Sequence, residues 1–125
     1  MPERLFVYGT LRPGESNEHY LSAIAGRWMD ASIKGIHFPE GYGATVGYPV
    51  IVPSQHGPAI SGLVLEAEFS LAQWQMLDDF ETEAYERVIQ PVTTLEGAQI
   101  DAFVYVLNQA DLKQLAAQHP ELQLA

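Results

Sequence analysis

Two strand-like runs, Ala84 to Thr94 and Gln99 to Leu107, are separated only by Leu95-Glu96-Gly97-Ala98. So short a connection turns the chain back on itself, because a parallel neighbour needs a crossover of about a dozen residues or more. The chain therefore contains an antiparallel hairpin, and its fold has to be built around sheet. Arg4 to Tyr8 is a further apolar run, ended by Gly9, too short and too aromatic for a helix. Ala59 to Phe69 reads as a long strand with Leu63, Leu65, Ala67 and Phe69 on one face. Val64, Glu66 and Glu68 fall on its other face, the two Glu toward water. Between Arg27 and Pro58 short apolar pieces alternate with Gly and Pro. They predict a strand around Ala31 to His37, a loop at Gly41-Tyr42-Gly43, and Gly47-Tyr48-Pro49 leading into Val50-Ile51-Val52.

Helices are few and isolated. Ser70-Leu71-Ala72-Gln73 has the form of a capping box, and Leu71, Trp74, Leu77 and Phe80 follow at three-residue spacing, which predicts a helix from Leu71 to about Phe80. Ser16 or Asn17 is expected to cap a short helix carrying Tyr20, Leu21 and Ile24 and ending at Gly26. Asp111 is expected to cap a last helix stopped by His119-Pro120. Single helices between strands, without a regular strand-helix-strand rhythm, disfavour a doubly wound parallel sheet and favour a mixed α+β domain around a curled sheet.

At 125 residues the chain fits one domain, spanning residues 1–125. Six Lys and Arg against 16 Asp and Glu give a net charge of −10, which repels phosphate backbones and argues against nucleic acid. The same charge favours a monomer. With no Cys, disulfides, thiol catalysis and Cys-rich zinc sites drop out, and the cytoplasm is the expected compartment. No segment reaches the roughly 18 apolar residues of a membrane span, and Met1 to Thr10 lacks the pattern of an export signal. His19, His37, His56 and His119 are too dispersed for a zinc site, so no metal is expected. No Gly-rich phosphate loop and no Gly-x-Ser-x-Gly elbow occurs.

Two places can carry chemistry. At Tyr8-Gly9-Thr10-Leu11 a strand runs into a Gly, where the backbone can turn sharply and successive N–H groups can cradle an oxygen; the same residues also read as a plain turn. At Leu77 to Arg87 an apolar helix gives way to five acidic residues. Glu81, beside Trp74, Phe80 and Tyr85, is the acid that partial desolvation would make a useful base, and a solvated acidic helix end is the plainer reading. Tyr85 and Arg87 share a strand face, with Glu86 opposite.

Taken in order, Phe6-Val7-Tyr8-Gly9-Thr10-Leu11-Arg12, Gly14-Glu15-Ser16-Asn17, Gly47-Tyr48-Pro49, Leu77-Asp78, Phe80-Glu81, Tyr85 and Arg87 resemble the γ-glutamylcyclotransferase-like family over most of the chain. The small bacterial and plant branches and the γ-glutamylamine cyclotransferases are most similar. The resemblance implies a small α+β fold with a mixed β-barrel-like sheet and a few short helices. Its cavity would hold a γ-glutamyl group between the Tyr-Gly-Thr-Leu loop and one essential Glu. By motif that acid is Glu81, the substrate-holding loop is Tyr8, Gly9, Thr10 and Leu11, and the Tyr after the acid is Tyr85. Arg87 matches the family's Arg as an orienting ion-pair partner, and Tyr48 and Tyr105 complete the expected site. Tyr105 shares a strand face with Phe103 and Leu107. Two residues depart from the pattern: Thr82 follows the acid where Gly is common, and Val50 stands where a small residue is common. Both bear on pocket shape and on which amine leaves.

The implied reaction releases 5-oxoproline and an amine or amino acid from a γ-glutamyl compound. An α-amino group has a pKa of about 8, so a carboxylate raised by burial can take its proton and pass it to the departing amine. Nucleophile and electrophile share one molecule, so no cofactor is expected, and holding the bent conformer can supply about 7 to 11 kcal/mol. Two other readings stand beside this one: a non-catalytic module that binds a small metabolite in the same cavity, and a hydrolase pairing Glu81 with Asp78 or Asp79.

Overall fold

The computed structural model describes residues 2–9, 12–15 and 18–122. The elements run β1 (Glu3–Val7), α1 (His19–Ser22), β2 (Gly26–Phe38), β3 (Val50–Pro53), β4 (Ala59–Ala67), α2 (Leu71–Glu81), β5 (Tyr85–Thr94), β6 (Gln99–Leu107) and α3 (Gln109–Gln118), with single 3-10 turns at Gly43–Thr45 and Pro120–Leu122. Strands β2, β4, β1, β6 and β5 pair in that order, and β5 returns to β2 through Ala31↔Thr94 and Ser32↔Thr93, closing a mixed barrel. β1 and β6 run parallel, and the other pairings are antiparallel. β2 outlasts the ring: residues 35–38 pair instead with β3. The predicted hairpin is β5–β6, in register from Tyr85↔Leu107 to Thr93↔Gln99.

Closing the sheet gives each strand an inside and an outside, and both are apolar. Phe6, Ala31, Ile33, Val64, Val92 and Val104 fill the barrel. Leu5, Val7, Leu65 and Ala67 face outward and are covered by Leu21, Ile24, Trp74 and Leu77. Val50, Val52 and Leu107 are covered by Leu115 of α3. Val64, which alternation puts on the same face of β4 as the two Glu, is fully buried inside the barrel, because a closed sheet has no solvated inner face. Of its neighbours on that face, Glu66 is half-buried and pairs with Arg4 at 2.8 Å across the β1–β4 register, and Glu68 is exposed.

The capping box forms as predicted. Ser70 Oγ accepts from Gln73 N at 3.1 Å, and Ser70 N donates to Gln73 Oε1 at 2.8 Å. Ser70→Ala is therefore expected to destabilise the fold by about 1 kcal/mol, read as a lowered urea midpoint at unchanged slope. Trp74 and Leu77 are buried, but Leu71 is 88% exposed. Three-residue spacing drifts about 60° per step around a helix, so a stripe centred on Leu77 has turned Leu71 away. Three boundaries differ from expectation. α1 is one turn that ends at Ser22, its flank at Glu18 makes no side-chain cap, and the chain is already strand at Gly26; Ser16 and Asn17 lie outside the described residues. α3 is capped by Asn108, whose side chain accepts from Asp111 N at 2.9 Å. Asp111, one turn in, serves the loop before β3 instead, where its Oδ2 accepts from Ala44 N at 2.9 Å and ties that loop to α3.

Candidate active site

β1, the loop before β3, the end of α2 and the start of β5 meet at one end of the barrel around a cavity of about 420 Å³. Phe6, Val7, Tyr8 and Gly9 form one wall, Ala44, Thr45, Tyr48 and Pro49 a second, and Phe80, Glu81, Thr82, Ala84, Tyr85 and Tyr105 the rest. Each wall has a local cause. At Gly9 a side chain would press on Pro49 Cγ, 3.3 Å from where its Cβ would stand, so glycine lets the exit of β1 approach the loop. Gly43 has φ 58°, and a side chain there would run into the Asp111 carboxylate that holds Ala44. α2 ends at Glu81, and Thr82 turns the chain toward β5 with φ 62° and ψ −171°. That conformation is essentially reserved for glycine; holding a β-branched residue in it costs on the order of 1–3 kcal/mol.

Three tyrosine hydroxyls converge on this cavity, and each spends its proton away from Glu81. Tyr8 donates to the Tyr105 carbonyl and accepts from Ile51 N at 3.2 Å. Tyr85 donates to the Pro49 carbonyl at 2.8 Å, and Tyr105 to Asp78 Oδ1 at 2.7 Å. Among the described residues no group hydrogen-bonds the Glu81 carboxylate, and the cavity walls hold no Lys or Arg. Burial without a compensating donor pushes its pKa up from 4.5 to about 7. Burial likewise raises the three tyrosines, with the Glu81 charge adding to each, so they stay protonated.

Of the residues singled out in the sequence, Tyr8, Gly9, Tyr48, Glu81, Tyr85 and Tyr105 border the cavity. Thr10 and Leu11 lie outside the described residues. Arg87 stands behind the wall, bidentate on Asp78 (Nε to Oδ1 3.0 Å, Nη2 to Oδ2 3.2 Å) with its guanidinium 4.4 Å from the Trp74 ring and 5.0 Å from that of Phe103. Asp78 is thus occupied by Arg87 and Tyr105, and exposed Asp79 bonds Gln75 at 2.9 Å; neither borders the cavity, which removes both partners from a carboxylate-pair reading. Val50 is buried under α3 and shapes no part of the cavity; of the two departures, only Thr82 does. Ala44 and Thr45 were not anticipated, although the neighbouring glycines marked a loop. Among the described residues no group of three or more His, Cys, Asp or Glu is placed to hold a metal, and none of their helices is long and apolar enough to cross a membrane.

Comparison with known proteins places this architecture. A family model described as "Gamma-glutamyl cyclotransferase, AIG2-like" matches residues 5–122. A Drosophila melanogaster protein named "Putative gamma-glutamylcyclotransferase CG2811" is 29% identical over 121 residues, 93% of this chain and 76% of the relative. The crystal structure of YkqA from Bacillus subtilis has a TM-score of 0.68 at 29% identity; the match covers 96% of this chain but only 43% of YkqA. An AIG2-like protein from Mus musculus shares the fold with a TM-score of 0.60 at 23% identity, over 84% of this chain and 76% of that one.

Proposed function

The chain belongs to the gamma-glutamyl cyclotransferase, AIG2-like family, and from that premise we propose that it is an enzyme that converts a γ-glutamyl amide into 5-oxoproline and a free amine. The substrate's α-amino nitrogen attacks its own γ-carbonyl carbon; the new N–C bond closes the five-membered ring and the old amide C–N bond breaks. Glu81 takes the proton that the α-amino nitrogen sheds and returns it to the departing nitrogen. The observation that carries this reading is the Glu81 carboxylate, partnerless among the described residues and pushed up to about 7 in an aromatic-walled cavity. A base of that strength holds and releases a proton with little penalty near neutral pH. The cavity supports the rest. The one acid among its described lining residues and its aromatic walls suit a primary amine, and its volume lies within the range of small-ligand sites. The backbone at Gly9, and the Thr10 and Leu11 that follow it, would hold the glutamyl end.

The test is product release from a panel of γ-glutamyl amines and dipeptides. At least one member should yield 5-oxoproline. Its kcat/KM should climb about tenfold per pH unit below about 7, as Glu81 ionises, and fall again at alkaline pH, as the substrate's ammonium loses its proton. Binding across the panel without product would contradict the proposal and leave a metabolite-binding module in its place.

A further inference from the structure

Beside the cavity lies an open surface groove of about 560 Å³, and Thr82, Tyr85 and Tyr105 border both. Two of these shared residues are fixed: the Tyr85 hydroxyl is held by Pro49 and the Tyr105 hydroxyl by Asp78. Thr82 is held differently. Its Oγ1 makes only a 3.3 Å bond from the Ala84 backbone N, and it is the one non-glycine with positive φ among the described residues. A branched side chain thus stands, against backbone preference, on the boundary between the two spaces, next to the residue assigned the proton transfer. The departing nitrogen must come within reach of Glu81 to collect its proton, which brings the substituent on that nitrogen beside Thr82.

We propose that Thr82 is a specificity-determining residue: its side chain limits the bulk of the departing amine by closing the cavity off from the adjoining groove. This rests on the cyclotransferase reading and adds to it the part of the site that selects the leaving group. Removing the side chain extends the space beside Glu81 into the groove, so bulky amines gain while small ones, which never reached the boundary, gain nothing.

The experiment compares kcat/KM for γ-glutamyl ethylamide and γ-glutamyl cyclohexylamide in the wild type, Thr82→Ala and Thr82→Gly. Thr82→Ala removes the branch and keeps the unfavourable backbone; Thr82→Gly removes both. The bulky-to-small ratio should rise at least about tenfold in Thr82→Ala, the scale that one or two carbon-sized groups set in a pocket. It should rise at least as far in Thr82→Gly. The melting temperature should increase by about 2 to 8 °C in the glycine variant alone. If Thr82→Ala leaves the ratio within about twofold of wild type, the inference is wrong whatever the glycine variant does, because a change confined to glycine reports backbone freedom. If the wild type releases 5-oxoproline from neither these amides nor any other γ-glutamyl compound, the cyclotransferase reading itself falls and takes this one with it.

Discussion

Glu81→Gln is expected to cut 5-oxoproline release by about 10²- to 10⁴-fold and, in the same molecule, to raise stability above neutral pH. Both effects come from one environment. The amide keeps the shape of the carboxyl group but cannot accept the proton of the attacking amine. The stability effect follows from linkage. Burial raises the Glu81 pKa from 4.5 to about 7, so the folded state prefers the protonated acid. That preference contributes its full stability below about pH 4.5, and the contribution is lost as pH rises through about 7. At 1.36 kcal/mol per unit the shift corresponds to roughly 3 kcal/mol; water entering the open cavity screens the charge and lowers the expected figure to about 2 kcal/mol. Glutamine carries no such penalty. The variant should therefore melt above the wild type at pH 8 and alongside it near pH 4.5. Coincident melting curves at pH 8 would show that the carboxylate is well solvated.

Arg87→Ala carries the second large effect, on stability first and on turnover through it. The Arg87 side chain is 27% exposed, and its guanidinium grips Asp78 with two parallel hydrogen bonds while packing on Trp74 and Phe103. A partly exposed bidentate pair contributes about 1 kcal/mol, and each ring contact about 0.5 to 1 kcal/mol. Together with the packed alkyl stem, the loss should reach about 2 to 3 kcal/mol in urea unfolding. Asp78 also receives the Tyr105 hydroxyl and sits one helical turn before Glu81. Freeing it loosens the end of α2, and kcat should fall about tenfold. Arg87→Lys keeps the charge but not the fork, and should recover less than half of the lost stability. Unchanged unfolding in both variants would mean that the ion pair is decorative.

The parts legible in the sequence are those set by local chemistry. The four-residue gap between two strand-like runs gave the β5–β6 hairpin, and Ser70 with Gln73 gave the start of α2, because turns and caps are decided within a few residues. What escaped depends on closure. Val64 reads as the apolar member of a polar face until β5 pairs with β2 and creates an interior for it. The pairing of Arg87 with Asp78 joins residues nine apart, across the junction between α2 and β5, and strand alternation alone gave Arg87 a place on the Tyr85 face without naming its partner. Ala44 and Thr45 entered the site through Asp111, 67 residues away, once Asn108 had taken over the cap. Glu81 could be named from its setting at a helix end among aromatics. That no donor among the described residues reaches it could not, since that requires knowing where three tyrosine hydroxyls send their protons.

The central claim is that this one carboxyl group holds its proton to near-neutral pH because the fold buries it and no donor among the described residues hydrogen-bonds it. Its side-chain carboxyl carbon, assigned in the NMR spectrum by the signal that disappears in Glu81→Gln, can be followed directly through a pH titration. A midpoint at about 7 is the predicted result; a midpoint near 4.5, that of an ordinary glutamate, would contradict it.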